Sequence, residues 1–143
     1  MYGPVDLVGA KKLIASFAGS EELRFFVGTD SDARDGRIIF ATVLVAYKVG
    51  KGATYFYTTK RVNRHYDMSS RLLEETHLSI EMATLVRELF GFDNTEVHLD
   101  IGYNGASRDV LSSAVGYVKG MGFSFKLKPW AFAATKVAHR HTK

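Results

Sequence analysis

Apolar residues fall in two rhythms along this chain, and the change of rhythm marks its elements. Leu23 to Thr29 is a short, dense apolar run of strand length. Arg37 to Val49 (RIIFATVLVAYKV) is longer and β-branched, and Asp35-Gly36 before it has the residues of a tight hairpin turn. Gly50, Lys51 and Gly52 turn the chain again into a third strand, Ala53 to Thr59. Strands joined by such short turns form an antiparallel meander. The rhythm then becomes helical. Ser69 to Phe90 reads as one long helix, with Ser69 or Ser70 as its cap and Gly91 after its end. Thr95 to Asp100 is a fourth strand. Ser107 to Met121 is a second helix, stopped by Gly120 and Gly122, and Phe123 to Lys128 is a fifth strand. Pro129 is placed to open a last helix, Trp130 to about His141. Ahead of all this, residues 5–18 carry a weaker helical pattern through Val5, Val8, Leu13, Ile14 and Phe17.

The order is β-β-β-α-β-α-β-α after a leading helix, an α/β arrangement on a five-stranded mixed sheet. A right-handed crossover from the third strand sets the fourth parallel beside the first. Asp30, at the end of VGTD, and Asp100, at the end of VHLD, then meet at one edge of the sheet, where open α/β folds bind ligands. With 143 residues, one domain spanning 1–143 is expected, residues 1–20 being a helical extension.

The long helix can add a third carboxylate. On a helical wheel Leu72, Leu73, Ile80, Ala83, Val86 and Phe90 mark the buried side. Glu74, Glu81 and Glu88 fall opposite, with His77, as a solvated face. Glu75 lies within the apolar arc, near the helix start, where an acid is costly unless paired. A cation shared with Asp30 and Asp100 would pair it, and so would Arg71 four residues earlier. Glu81 is the second choice. Asp32, Asp35 and Asp93 read as turn or loop residues, and Asp109 as a helix-dipole partner.

Charge extends the picture. The chain carries a formal net charge of +4, unevenly spread. No acid follows Asp109, whereas Lys126, Lys128 and Lys136 do, and Lys60, Arg61, Arg64 and Arg71 form a second basic cluster in the loop leaving the third strand. One-sided positive charge suits a phosphate backbone. The absence of cysteine excludes disulfides, thiolate metal sites and cysteine nucleophiles. No apolar run has the length of a membrane span and no signal-peptide pattern is present, so a cytoplasmic protein without membrane attachment is expected. The histidines, His65, His77, His98, His139 and His141, show no zinc-helix spacing. His98 alternates to the side of Asp100 as a core or supporting residue, and His139 or His141 could offer a further ligand or proton-transfer group. The aromatic residues are mostly core, with Tyr55, Tyr57 and Tyr103 as candidates for stacking on bases. No Walker loop, nucleophile elbow or dinucleotide fingerprint occurs.

The stretches VGTDSD, GKGATYFY, RLLEETHLSIEMA, HLDIGYNG, VKGMGF and KPWAFAATKVAHRHTK, in this order, resemble the ribonuclease H-like superfamily, and within it a small uncharacterised bacterial family, the YkuK-like proteins. The resemblance implies a nuclease-type site holding two ions, Mg2+ or Mn2+, about 4 Å apart. By position Asp30 and Asp100 match the strand aspartates and Glu75 the helix glutamate, with Glu81 in reserve. The chain departs from that pattern in its last helix, where Trp130 to Lys143 contains no acid and only His139 or His141 could substitute. The expected function is metal-dependent hydrolysis of phosphodiester bonds in nucleic acid, DNA or RNA. The alternative is a non-catalytic nucleic-acid-binding module of the same fold. A small-molecule phosphatase using Asp30-Ser31-Asp32 ranks lower, because a hairpin follows the motif.

Overall fold

The computed structural model describes residues 23–48, 50, 52–90, 95–103 and 108–142, with the side chains of Phe90 and Asp109 left out. The expected leading helix and 1–20 extension, Gly91 and Asp93 lie outside the described residues. The chain forms β1 (Leu23–Arg34), β2 (Arg37–Lys48), β3 (Gly52–Val62), α1 (Met68–Phe90), β4 (Thr95–His98), α2 (Arg108–Gly120) and β5 (Ser124–Lys126). A terminal helical segment follows, a π turn Ala133–Val137 running into a 3-10 turn Ala138–His141.

The sheet order is β3-β2-β1-β4-β5. β1–β2 and β2–β3 are antiparallel, and β1–β4 and β4–β5 are parallel, as the crossover argument requires. The Asp35-Gly36 turn pairs Arg34 with Arg37, and both turn residues have positive φ, 52° and 76°. That is the conformation whose twist suits a two-residue hairpin.

β1 runs past its expected end at Thr29 to Arg34, and β3 past Thr59 to Val62. Asp32 therefore lies in a strand opposite Ile39, not in a turn, and its carboxylate pairs with Arg34 Nε at 2.7 Å. The antiparallel partner carries β1 on, while β4 pairs only with Phe25 to Gly28. Beyond Gly28, β1 therefore has a ladder partner on one side alone, and the site lies there.

Side chains of β1 alternate between two layers. Phe25 and Val27 enter the core under α1 and α2, with Leu44, Ile80, Val86, Val97 and Val118. Phe26 faces the other layer, where Val43, Val45, Ala133 and Ala138 pack. Gly28 makes that second layer possible. A Cβ there would stand 2.4 Å from the Ala134 backbone nitrogen, so only glycine admits the terminal segment so close.

Three local expectations are corrected. α1 is capped by Asp67, whose Oδ1 accepts the Ser70 N–H at 2.7 Å, because its side chain precedes the helix while Ser69 and Ser70 are already in it. Leu73, placed on the buried arc, is 38% exposed. Pro129 does not open a helix. The Lys128–Pro129 bond is cis and lies in a turn closed by Trp130 N–H to Leu127 O, so helical geometry starts only near Ala133.

Candidate functional site

Arg71, Glu75 and Ser79 recur every four residues on α1 and form a polar line against β1. Ser79 Oγ bonds Thr29 Oγ1 at 2.7 Å, and Thr29 in turn bonds Thr42 Oγ1 at 3.0 Å. Glu75 Oε2 accepts from Ser31 Oγ at 2.5 Å. Arg71 donates to Ser31 Oγ at 3.0 Å and to its carbonyl oxygen at 3.1 Å. Arg71 thus reaches Glu75 through Ser31, and this replaces the direct ion pair that the four-residue spacing allowed.

Asp30 points to the opposite layer, where His139 Nδ1 meets its Oδ2 at 2.7 Å. Asp100, two residues past the end of β4, completes the group, with Lys128 Nζ 3.1 Å from its Oδ1. Ligand oxygens of Asp30, Glu75 and Asp100 all lie within 4.8 Å of one another. The cluster wraps around β1 where β4 has ended, so groups from both layers and from the neighbouring strand converge.

Burial makes this gathering costly. Glu75 is 5% exposed, and desolvation pushes its pKa well above the ordinary carboxylate range, helped by the charges of Asp30 and Asp100 and opposed by the Ser31 hydrogen bond and Arg71. Asp100 is raised as well, by burial first and by Asp30 second, against the pull of Lys128. Glu75 Oε1 is buried and has no hydrogen-bond partner among the described residues. Three hard oxygen donors, repelling one another and including an orphaned buried oxygen, fit a Mg2+ or Mn2+ ion.

The other expected residues separate clearly. Glu81 stands on the exposed face of α1, 3.6 Å from His77, because it is turned away from the line that carries Glu75 and Ser79. His141 stacks on Tyr57 at 3.7 Å and bonds Tyr55 Oη at 3.0 Å, so of the two terminal histidines His139 is the one at Asp30. His98 is buried beneath the segment. Its Nδ1 accepts the Ala133 N–H at 3.1 Å, which leaves Nε2–H to donate to Glu96 at 2.9 Å, and burial lowers its pKa. Lys60 is exposed, with Glu74 3.5 Å away. Arg61 and Lys136 are exposed, and Arg64 lies over the Tyr66 ring at 4.6 Å. Arg71 and Lys128, expected in the basic surface, touch the cluster, Arg71 through Ser31 and Lys128 at Asp100. Ser31 and Gly28 escaped the sequence reading. The signal for Ser31 lay in the four-residue polar line on α1, and Gly28 had none beyond being a small residue next to a carboxylate.

Residues 11–143 match the family model described as Ribonuclease H-like. A Bacillus subtilis (strain 168) protein described as "Uncharacterized protein YkuK" is 30% identical over 133 residues, 82% of this chain and 77% of that one. The crystal structure of RNase H1 from the halophilic archaeon Halobacterium salinarum NRC-1 is similar at 18% identity and TM-score 0.45, over 77% of this chain and 89% of that one. The N-terminal RNase H domain of a Mycobacterium tuberculosis protein, solved as a maltose-binding-protein fusion, is similar at 8% identity and TM-score 0.44, over 85% and 94%. Among the described residues, no helix is long and apolar enough to cross a membrane.

Proposed function

The chain belongs to the ribonuclease H-like family, in its YkuK-like branch, and from that premise we propose that it is a metal-dependent nuclease hydrolysing phosphodiester bonds of nucleic acid. The observation that carries the proposal is the convergence of Asp30, Glu75 and Asp100, with Glu75 Oε1 buried and unpartnered among the described residues. Fold alone would not support a chemistry.

Asp30, Asp100 and Glu75 would hold one or two Mg2+ or Mn2+ ions. A bound ion pair supplies Lewis-acid stabilisation of phosphoryl oxygens and activation of water. Ser31 and Arg71 fix the rotamer of Glu75, and His139 fixes Asp30 and can carry a proton at its ring nitrogens. Lys128 neutralises Asp100 when no cation does, and exchanges that contact for a substrate phosphate. Lys60, Arg61, Arg64 and Lys136 are exposed cations suited to hold the strand without reading its sequence. The phosphatase reading loses ground, since Asp32 pairs with Arg34 within a continuing strand.

The test is cleavage of end-labelled DNA, RNA and hybrid in Mg2+ or Mn2+. Asp30→Asn abolishes cleavage under this proposal, and unchanged cleavage in that variant sinks it. One observation favours the second reading, a binding module without chemistry: the terminal segment presents His139 to the cluster and no acid. Binding without cleavage in either metal would establish that reading.

A further inference from the structure

β5 is an edge strand, and the cavity along it, about 710 Å3, has a composition unlike the rest of the surface. Tyr103, Phe125, Lys126, Lys128, Pro129 and Trp130 line it. Trp130 is 73% exposed and Tyr103 69%, the most exposed of the large apolar side chains among the described residues. Large aromatic rings left in water on a small protein mark a binding surface when they flank a groove. The Trp130 backbone is held on both sides, its N–H bonding Leu127 O at 2.8 Å and its carbonyl oxygen accepting the Phe132 N–H at 3.0 Å. Lys128 N–H bonds Ile101 O at 3.0 Å and ties together the two stretches of chain that carry Trp130 and Tyr103. Both rings are presented to solvent from these stretches.

Among the described residues no acid lines the groove, and its two lysines give it one sign of charge. It neighbours the carboxylates through Lys128, which lines it and touches Asp100. Flat aromatic faces beside cations, next to a carboxylate cluster, match one occupant class: unpaired nucleobases on a phosphate backbone. An acidic peptide would satisfy the lysines but would leave both rings without a planar partner.

We propose that this groove is a stacking subsite for unpaired bases, with Trp130 and Tyr103 as platforms and Lys126 and Lys128 at the flanking phosphates, so that the substrate is single-stranded nucleic acid or a frayed strand end. The proposal rests on the nucleic-acid reading of the neighbouring carboxylates and names its substrate class. Every base has a π face, so the subsite is tolerant of sequence.

Trp130 is the single tryptophan of the chain, so its fluorescence reports the groove directly. The full-length protein in EDTA, where metal-dependent cleavage cannot occur, is titrated with oligothymidylate. Parallel titrations use an abasic strand of the same length and a blunt duplex. The expected result is saturable quenching by oligothymidylate and little by the other two at equal phosphate concentration. Trp130→Ala, with its fold checked by circular dichroism, weakens oligothymidylate binding measured by anisotropy roughly tenfold or more and leaves duplex binding nearly unchanged. Equal quenching by all three ligands, no quenching, or unchanged affinity in Trp130→Ala overturns the subsite. Quenching in a protein that cleaves nothing in Mg2+ or Mn2+ retains the subsite and removes only the nuclease activity.

Discussion

Ser31 Oγ donates to Glu75 Oε2 at 2.5 Å, and this bond joins β1 to the first turns of α1 at the centre of the carboxylate cluster. It satisfies one oxygen of Glu75 and leaves the other buried without a partner among the described residues. Glu75 is consequently a destabilising group in the metal-free protein. Its folded pKa is raised, so below the unfolded carboxyl value, about 4.3, both states hold the proton and the full stability is present. As pH rises, the unfolded chain releases its proton first, and stability falls until the folded group ionises too. Asp100 is raised and acts with the same sign. Glu75→Gln is therefore expected to be more stable than the native protein at neutral pH in EDTA, with the difference vanishing near pH 4. Mg2+ should raise the native melting temperature and leave that of the variant almost unmoved. Urea melts across the pH range decide it, and a native protein that gains stability from acid to neutral pH in EDTA would contradict this account of the cluster.

His139 stands where an added carboxylate would be nearest to Asp30, and its side chain is 58% exposed. Its loss should matter to chemistry and little to folding. His139→Ala is expected to lower cleavage by about 10²-fold, the lower end of what positioned proton-transfer groups contribute, and to shift stability by less than about 0.5 kcal/mol. His139→Asp sets a further carboxylate beside Asp30. Like charges then repel without metal, so this variant should melt lower in EDTA and bind Mn2+ more tightly by calorimetry. Weaker Mn2+ binding by His139→Asp would place His139 outside the ion-holding group.

The sheet was legible because its signals are local. The Asp35-Gly36 turn, the strand rhythm and the crossover length leave one topology, and the parallel β1–β4 pairing follows from it. Glu75 was legible as the acid out of place on an apolar arc. What stayed hidden depends on contacts between distant residues. Ser31 acquires its role only when Arg71 and Glu75 reach it from α1, 40 and 44 residues later. β1 runs to Arg34 because β2 carries it, not because its own residues favour a longer strand. The choice between His139 and His141 was set by the π turn, which the alanine-rich sequence does not announce.

The basic residues divide by the work their side chains already do. Arg61 and Arg64 are exposed, whereas both donor groups of Arg71 described above are committed to Ser31. Arg61→Glu and Arg64→Glu should weaken nucleic-acid binding evenly across sequences and reduce the salt slope by about 1 each. Arg71→Ala should instead lower Mn2+ affinity, because Glu75 loses the anchor of its partner Ser31. The exposed Lys60–Glu74 pair contributes little to stability, and Lys60→Ala should leave the melting curve unchanged. Equal salt slopes in native protein and both arginine variants would remove this surface from the binding path.

Gly28 controls whether the terminal segment reaches the site at all. A Cβ added there meets the Ala134 nitrogen at 2.4 Å and the Ala133 carbonyl carbon at 2.6 Å, both backbone atoms that no rotamer change can move aside. Ala133 is also tied by its N–H to His98, so the segment cannot yield at that point without breaking a buried hydrogen bond. Gly28→Ala is therefore expected to cost about 1–3 kcal/mol, as overpacking does, and to draw His139 away from Asp30. It should lose cleavage to the extent His139→Ala does and stability as well, whereas His139→Ala loses cleavage alone. Thermal melts of the two variants, read with their cleavage rates, separate docking of the segment from the action of the imidazole. A Gly28→Ala protein with native melting temperature and native cleavage would show that the segment's seat on β1 is not what holds His139 in place.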